Sequence, residues 1–243
     1  MKPFLLLATR AEDAAADGEY DAMLRYGGLT PRELVRVRLE AEPLPAIDLD
    51  DFSAIIVGGS PFTTSVPPEE KSDVQRRVEA ELAALLDDVV ARDFPFLGAC
   101  YGVGTLGVHT GGVVDETYAE AVGAVPITLT EAGRADPLFG TLPPVFDAFV
   151  GHKEAIRTAP PDAVVLATSP GCPVQAFRVK RNLYATQFHP ELDVPGIETR
   201  IDVYRNAGYF APEEVAALLG RVRGADVTSA LALLPAFVRR YAR

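Results

Sequence analysis

Two short stretches carry the residue types and spacings for covalent chemistry. In Gly98-Ala99-Cys100-Tyr101-Gly102 a cysteine stands between glycines two residues away on either side. That is the spacing of a nucleophile elbow, a sharp strand-to-helix turn that presents its central side chain. The turn is strained and crowded, so its flanks call for glycine. A thiol there lies at the amino end of a helix, where the dipole favours thiolate over thiol. The alternative is a buried structural cysteine beside two ordinary glycines.

The second stretch is Gln187-Phe188-His189-Pro190-Glu191. Residues two apart on an extended chain point to one side, so His189 and Glu191 lean toward each other, and Pro190 stiffens the link. With Cys100 this makes a set for acyl transfer. Cys100 attacks a carbonyl carbon. His189 takes the thiol proton and returns it to the leaving amine. Glu191 fixes the tautomer and stabilises the imidazolium. The rival reading of His189 is a core histidine.

The elements that must position these residues follow from the hydrophobic pattern. Phe4 to Ala8, Ala54 to Val57 and Phe94 to Ala99 are short apolar runs of the kind that fill a parallel sheet. Val35, Val37 and Leu39 alternate with charged residues as a strand. Tyr20 to Tyr26 predicts a helix ending at Gly27-Gly28, preceded by an acidic, alanine-rich loop or helix start. Ser72 with Gln75 caps a long helix with the stripe Val74, Val78, Leu82, Leu85 and Val89. Tyr101 to about Thr110 is the helix after the elbow, with His109 as a helix-end residue without a catalytic role. Further strands are expected at Val113–Val114, Pro126–Leu129, Val145–Val150, Val164–Ala167, Val174–Val179 and Leu183–Phe188. Cys172, in a turn between Gly171 and Pro173, reads as structural. Helices follow at Pro195–Ala207, from Pro212, and over Thr228–Arg243 with an interruption at Pro235. This alternation predicts a three-layer α/β fold with a mainly parallel sheet and C-terminal helices.

Composition narrows the function. The 243 residues are 48% hydrophobic, enough for a full core. A net charge of −11 argues against nucleic acid and anionic membranes as partners. Two distant cysteines suggest a reducing, cytoplasmic setting without disulfides. Three histidines in no ligand spacing argue against a metal site, and no motif asks for a cofactor. The apolar run Phe4 to Ala8 is too short for a signal-peptide core. Gly58-Gly59-Ser60-Pro61, at the end of a predicted strand, places bare N–H groups where ligands bind in open α/β sheets; a plain tight turn is the alternative.

The paired motifs around Cys100 and His189 resemble the class I (triad) glutamine amidotransferases, most nearly stand-alone proteins similar to the amidotransferase domain of GMP synthase. The resemblance runs from about Phe4 to about Asp193. It implies that Gly58-Gly59-Ser60-Pro61 is the oxyanion loop, with the N–H groups of Gly59 and Tyr101 holding the oxyanion. Gly151-His152-Lys153-Glu154 falls where such proteins carry a histidine–acidic segment, which makes His152 a wall or positioning residue. Thr130-Glu131-Ala132-Gly133 and Asp136-Pro137-Leu138-Phe139 also look like the stand-alone group. One departure concerns the substrate: the family's usual glutamine four residues after the nucleophile is Gly104 here. Gly104 either leaves room for a larger γ-glutamyl compound or is compensated by another residue. The resemblance implies an amidotransferase-like domain over 1–205, with 206–243 as a helical extension packed on it and no synthetase domain. Three functions follow: a glutaminase passing ammonia to a separate synthase, a free-standing γ-glutamyl amide or peptide hydrolase, and a non-catalytic binding or regulatory protein.

Overall fold

Phe4-Leu5-Leu6-Leu7-Ala8 is apolar without alternation and is buried along its whole length, as an inner strand of a parallel sheet must be. The computed structural model describes the backbone of residues 1–243 and every side chain except that of Pro212. In chain order the elements are β1 (Phe4–Ala8), α1 (Asp13–Gly27), β2 (Leu34–Arg38), β3 (Ile55–Val57), α2 (Asp73–Ala91), β4 (Phe96–Ala99) and α3 (Tyr101–His109). There follow β5 (Val113–Asp115), β6 (Glu120–Leu129), α4 (Glu131–Ala135), β7 (Val145–His152), β8 (Ala155–Thr158), β9 (Val164–Thr168), β10 (Ala176–Val179) and β11 (Leu183–Thr186). The chain ends with α5 (Val194–Val203), α6 (Val215–Arg223), α7 (Thr228–Leu231) and α8 (Leu233–Tyr241).

Nine strands form one sheet in the order β2-β1-β3-β4-β11-β10-β9-β6-β7, and β5 pairs with β8 apart from it. The strands from β2 to β11 run parallel. Strands β10, β9, β6 and β7 continue the sheet antiparallel. The sheet is therefore mixed, and its parallel half carries the two motif stretches.

Alternate side chains of the central strands build two cores. Leu5, Leu7, Ile55, Val57 and Phe96 meet Val78, Leu82, Leu86 and Val89 of α2 and Val103 and Leu106 of α3. Phe4, Leu6, Ile56 and Leu97 face the other way, toward Met23 of α1 and Leu233, Leu234 and Phe237 of α8. This is a helix–sheet–helix arrangement. Helix α2 starts where Ser72 accepts a hydrogen bond from the Gln75 N–H. Val74, expected on its stripe, is exposed, and Leu86 lies on it instead. A third cluster joins Leu218 and Val222 of α6 to Ile197 and Ile201 of α5, Phe149 and Leu192.

Helix α1 begins at Asp13, so of the loop and the helix start expected as alternatives for the acidic stretch, the helix start forms. Two elements differ from the sequence expectation. Strand β6 begins at Glu120 rather than Pro126, because residues 120–125 gain their partners from β7, far along the chain. Helix α5 stops at Val203, and turns occupy 204–208. The interruption near Pro235 is a break at Ala232 between α7 and α8, which puts the proline in the first turn of α8, where its missing N–H costs little. No helix among the described residues is long and apolar enough to cross a membrane.

Candidate active site

The elbow forms because β4 runs directly into α3. Cys100 has φ 53° and ψ −91°, a left-handed conformation rare outside glycine. A β-carbon on Gly98 would come within 2.7 Å of the Gly102 carbonyl group, so the chain can turn this tightly only with glycine there. The Cys100 N–H donates to the Thr186 carbonyl at 2.7 Å, which pins the elbow to the end of β11. The residues after β11 thereby come beside the cysteine. Gln187 Nε2 lies 4.0 Å from the Cys100 sulfur.

His189 and Glu191 are both buried, and His189 Nδ1 is 2.9 Å from Glu191 Oε1. The ring crowds the Gly58-Gly59-Ser60-Pro61 loop: a β-carbon on Gly59 would stand 2.7 Å from His189 Cε1. Cys100 and His189 line one pocket of about 470 Å³. Cys100 also lines a second, of about 380 Å³, with Tyr101, Gly104, His152 and Glu154. The structure thus gathers Cys100, His189, Glu191, Gly59, Tyr101, Gly104 and His152 around two adjoining cavities.

The charge of the site is set by residues that no motif announced. Arg200 Nη2 is 2.8 Å from Glu191 Oε1 and 3.4 Å from Glu19 Oε1. Arg200 Nη1 is 3.0 Å from His189 Nδ1. Arg10 Nε donates to Glu19 Oε1 at 3.1 Å. All five of these residues are buried. The Glu19 carboxylate also lies against Gly58, where a side chain would collide with it, and Glu19 Oε1 accepts the Gly59 N–H at 3.2 Å. The donor that the resemblance assigns to an oxyanion is therefore held by a carboxylate, and serving an oxyanion requires its release. Tyr101 N–H is at the first position of α3 and has no intrahelical acceptor.

Burial decides the thiol's proton. It pushes Cys100 up to about 12, against the pull of Arg10 and Arg200. Desolvation of the sulfur thus opposes the thiolate that a helix N-terminus favours. Burial also holds His189 below the usual imidazole range; Arg200 adds to that and Glu191 opposes it. Burial works against charge on Glu191, but His189 and Arg200 outweigh it and keep the group a carboxylate far below the usual range. The thiol and the imidazole, both disfavoured as charged groups by burial, line the same cavity, and the imidazole is backed by a carboxylate.

Gly104 does not open onto free space. A β-carbon there would lie 2.6 Å from Thr64 Oγ1 and 3.3 Å from Thr64 Cβ. The loop carrying Thr64 is held by Glu154, whose carboxylate accepts the N–H groups of Thr64 at 2.6 Å and Ser65 at 2.7 Å. His152 in turn engages the Glu154 carbonyl through Nδ1 and Glu120 through Nε2, both at 2.9 Å. Its two nitrogens are thus spent on supporting the pocket wall. Cys172 is buried in a turn next to Ser169, away from both cavities. His109 faces Asp87 at the end of α3.

Residues 22–199 match the family of class-I glutamine amidotransferases. The chain belongs to that family, and its α/β fold is that of the class. The glutamine amidotransferase-like protein YfeJ of Salmonella typhimurium is 32% identical over 161 residues, covering 65% of this chain and 64% of YfeJ. The glutamine-hydrolysing GMP synthase of Lactococcus lactis subsp. cremoris is 36% identical over 99 residues, 40% of this chain. The match spans only 19% of that synthase. A crystal structure of a glutamine amidotransferase from Thermotoga maritima superimposes with a TM-score of 0.79 at 18% identity, covering 99% of this chain and 98% of that one, and so shares its fold.

Proposed function

We propose that this chain cleaves the terminal carboxamide of glutamine through a Cys100–His189–Glu191 triad, releasing ammonia for a separate acceptor synthase. The observation that carries the reading is the buried His189–Glu191 pair, 2.9 Å apart, whose histidine lines one cavity with the cysteine of a strained elbow. His189 takes the thiol proton as sulfur attacks the amide carbon. The oxyanion is held by the N–H of Tyr101 and by that of Gly59 once Glu19 lets it go. The imidazolium then protonates the departing nitrogen, and a thioester is left on Cys100. Water, deprotonated by His189, attacks the thioester and frees glutamate and the cysteine.

A second reading, hydrolysis of larger γ-glutamyl amides without a synthase partner, is favoured by one observation. The cavity on the His189 side is walled mainly by apolar side chains, which suit an organic amine rather than ammonia as the departing group. Both readings use the same triad. The test is release of ammonia or amine from glutamine and γ-glutamyl amides by wild type, Cys100→Ser and His189→Ala. Wild-type turnover is expected, with Cys100→Ser inactive and His189→Ala reduced by about a hundredfold to ten-thousandfold. Turnover that survives in Cys100→Ser, or no turnover of any amide by folded wild type, overturns the triad; the latter result favours a binding role.

A further inference from the structure

The two cavities that meet at Cys100 differ in chemistry. The smaller is the more polar of the two, with Gln187, Lys153 and Glu154 beside Gly104 and with Phe62, Val103 and Val114 also in its wall. The larger contains His189 and is otherwise walled mainly by apolar side chains, among them Val122, Val150, Ile197, Ile201 and Phe210. The position of His189 assigns their roles. The imidazole must protonate the departing nitrogen, so the leaving group lies on its side of the reacting carbon. His189 lines only the larger cavity, which is thus the leaving-group side, and the γ-glutamyl part falls to the polar one.

Arg10 supplies a second, independent observation. It is 4% exposed and lines the larger cavity. Its Nε is bonded to Glu19 at 3.1 Å and its Nη1 to the Tyr204 hydroxyl at 3.2 Å. Among the described residues, Nη2 has no hydrogen-bond acceptor. It stands beside the oxyanion loop, 2.5 Å from where a β-carbon of Gly59 would be. A buried guanidinium whose Nη2 is unengaged can donate from that nitrogen to a carboxylate oxygen. The apolar walls oppose a cationic leaving group, which would lose its hydration there.

We propose that the preferred substrate is a γ-glutamyl dipeptide with an apolar second residue. The side chain of that residue fills the cavity between β6, β7 and α5, and its carboxylate meets Arg10 Nη2. The proposal rests on the γ-glutamyl amide reading above. The γ-amide C–N bond breaks as the Cys100 thioester forms, and the amino acid leaves with the proton from His189. Water then cleaves the thioester, so one dipeptide and one water give glutamate and a free apolar amino acid.

The experiment compares kcat/KM of the full chain for γ-glutamyl-leucine, γ-glutamyl-glycine, γ-glutamyl-lysine, γ-glutamyl-isobutylamide and glutamine. Burial of a leucine-sized side chain predicts about a tenfold to hundredfold preference for γ-glutamyl-leucine over γ-glutamyl-glycine. The carboxylate contact predicts at least about tenfold over the neutral isobutylamide. γ-Glutamyl-lysine and glutamine fall below the leucine compound. Val122→Trp, which fills the cavity, lowers kcat/KM for γ-glutamyl-leucine at least tenfold more than for glutamine. Arg10→Gln narrows the gap between the leucine compound and the isobutylamide. Glutamine turned over as well as or better than γ-glutamyl-leucine, or lysine accepted as well as leucine, overturns the proposal and leaves triad hydrolysis standing. Absence of Cys100-dependent hydrolysis of every compound, glutamine included, takes down both.

Discussion

Cys100 stores strain of about 1–3 kcal/mol in its left-handed backbone, and the neighbours that tolerate it also decide its reactivity. A free cysteine titrates near 8.5. With burial pushing Cys100 up to about 12, labelling of the resting protein by iodoacetamide is expected to keep rising through pH 10. Levelling off near pH 8 would contradict this, and Cys172→Ser should label at the wild-type rate while Cys100→Ser does not. The histidine gives a second pH signature. In the proposed triad only neutral His189 can take the thiol proton, so turnover should fall as pH drops through its pKa. That pKa lies below the usual 6.5, which places the acid limb below it too. The groups facing the ring are Glu191, which raises the pKa, and Arg200 and Arg10, which lower it. Arg200→Gln should therefore shift the acid limb of kcat/KM to higher pH. Arg200 also bears on the tautomer. Its N–H can only donate, so its 3.0 Å contact with Nδ1 competes with the Nδ1–H bond to Glu191 that leaves Nε2 free as base. An unmoved acid limb in Arg200→Gln would mean that Arg200 serves packing alone.

At the scale of elements, the end of β7 ties together the segments that roof the site. Glu154 holds the loop bearing Thr64 and Ser65. Lys153 Nζ donates to the Ala207 carbonyl at 2.9 Å and lies 4.4 Å from the Tyr209 ring centre, fastening the turns after α5. Because Thr64 sits on Gly104, a side chain at 104 has nowhere to go unless the loop moves. Gly104→Gln alone is thus expected to lower kcat/KM for glutamine, and adding Thr64→Gly to recover it. Improvement by the single substitution would mean that Thr64 yields freely. The contrast between legible and hidden parts follows from chain distance. Cys100 with its glycines and His189 with Glu191 are local patterns, fixed by one turn and by one two-residue step, so their spacing carries their meaning. Arg10, Glu19 and Arg200 sit near the end of β1, in α1 and in α5, and only the parallel topology brings them together. Nothing in their sequence surroundings sets these charges apart from surface ones. Residues 120–125 were hidden for a related reason: small and half-buried, they become a strand through pairing with β7 rather than through their own pattern. Thr64 was hidden because its role depends on contact with Gly104, forty residues away.

The molecule as a whole uses its last helices in two ways. A division of the chain at residue 205 corresponds to no break in packing. Phe237 of α8 is fully buried, with its ring centre 6.4 Å from that of Phe4 in β1. It closes the core on one face of the sheet with Met23 and Leu233. Leu218 of α6 belongs instead to the smaller cluster with Leu192, Ile197 and Ile201, three residues that also line the cavity beside His189. The two helices should therefore fail differently. Phe237→Ala removes a large core side chain far from the cysteine and should cost about 3–5 kcal/mol. At about 2–4 °C per kcal/mol for a chain of this size, Tm should fall by on the order of 10 °C. Turnover per folded molecule at low temperature should stay near wild type. Leu218→Ala should cost about 2–5 kcal/mol as well. It also leaves a gap behind the cavity wall, so Ile197 and Ile201 can shift toward it, and KM for amides with apolar leaving groups should rise more than KM for glutamine. Thermal melts paired with kinetics on both substrate types separate these outcomes. If Phe237→Ala raised the same KM values while Leu218→Ala changed only Tm, α6 would have no part in shaping the pocket, and the route from the C-terminal helices to the site would have to run through the sheet.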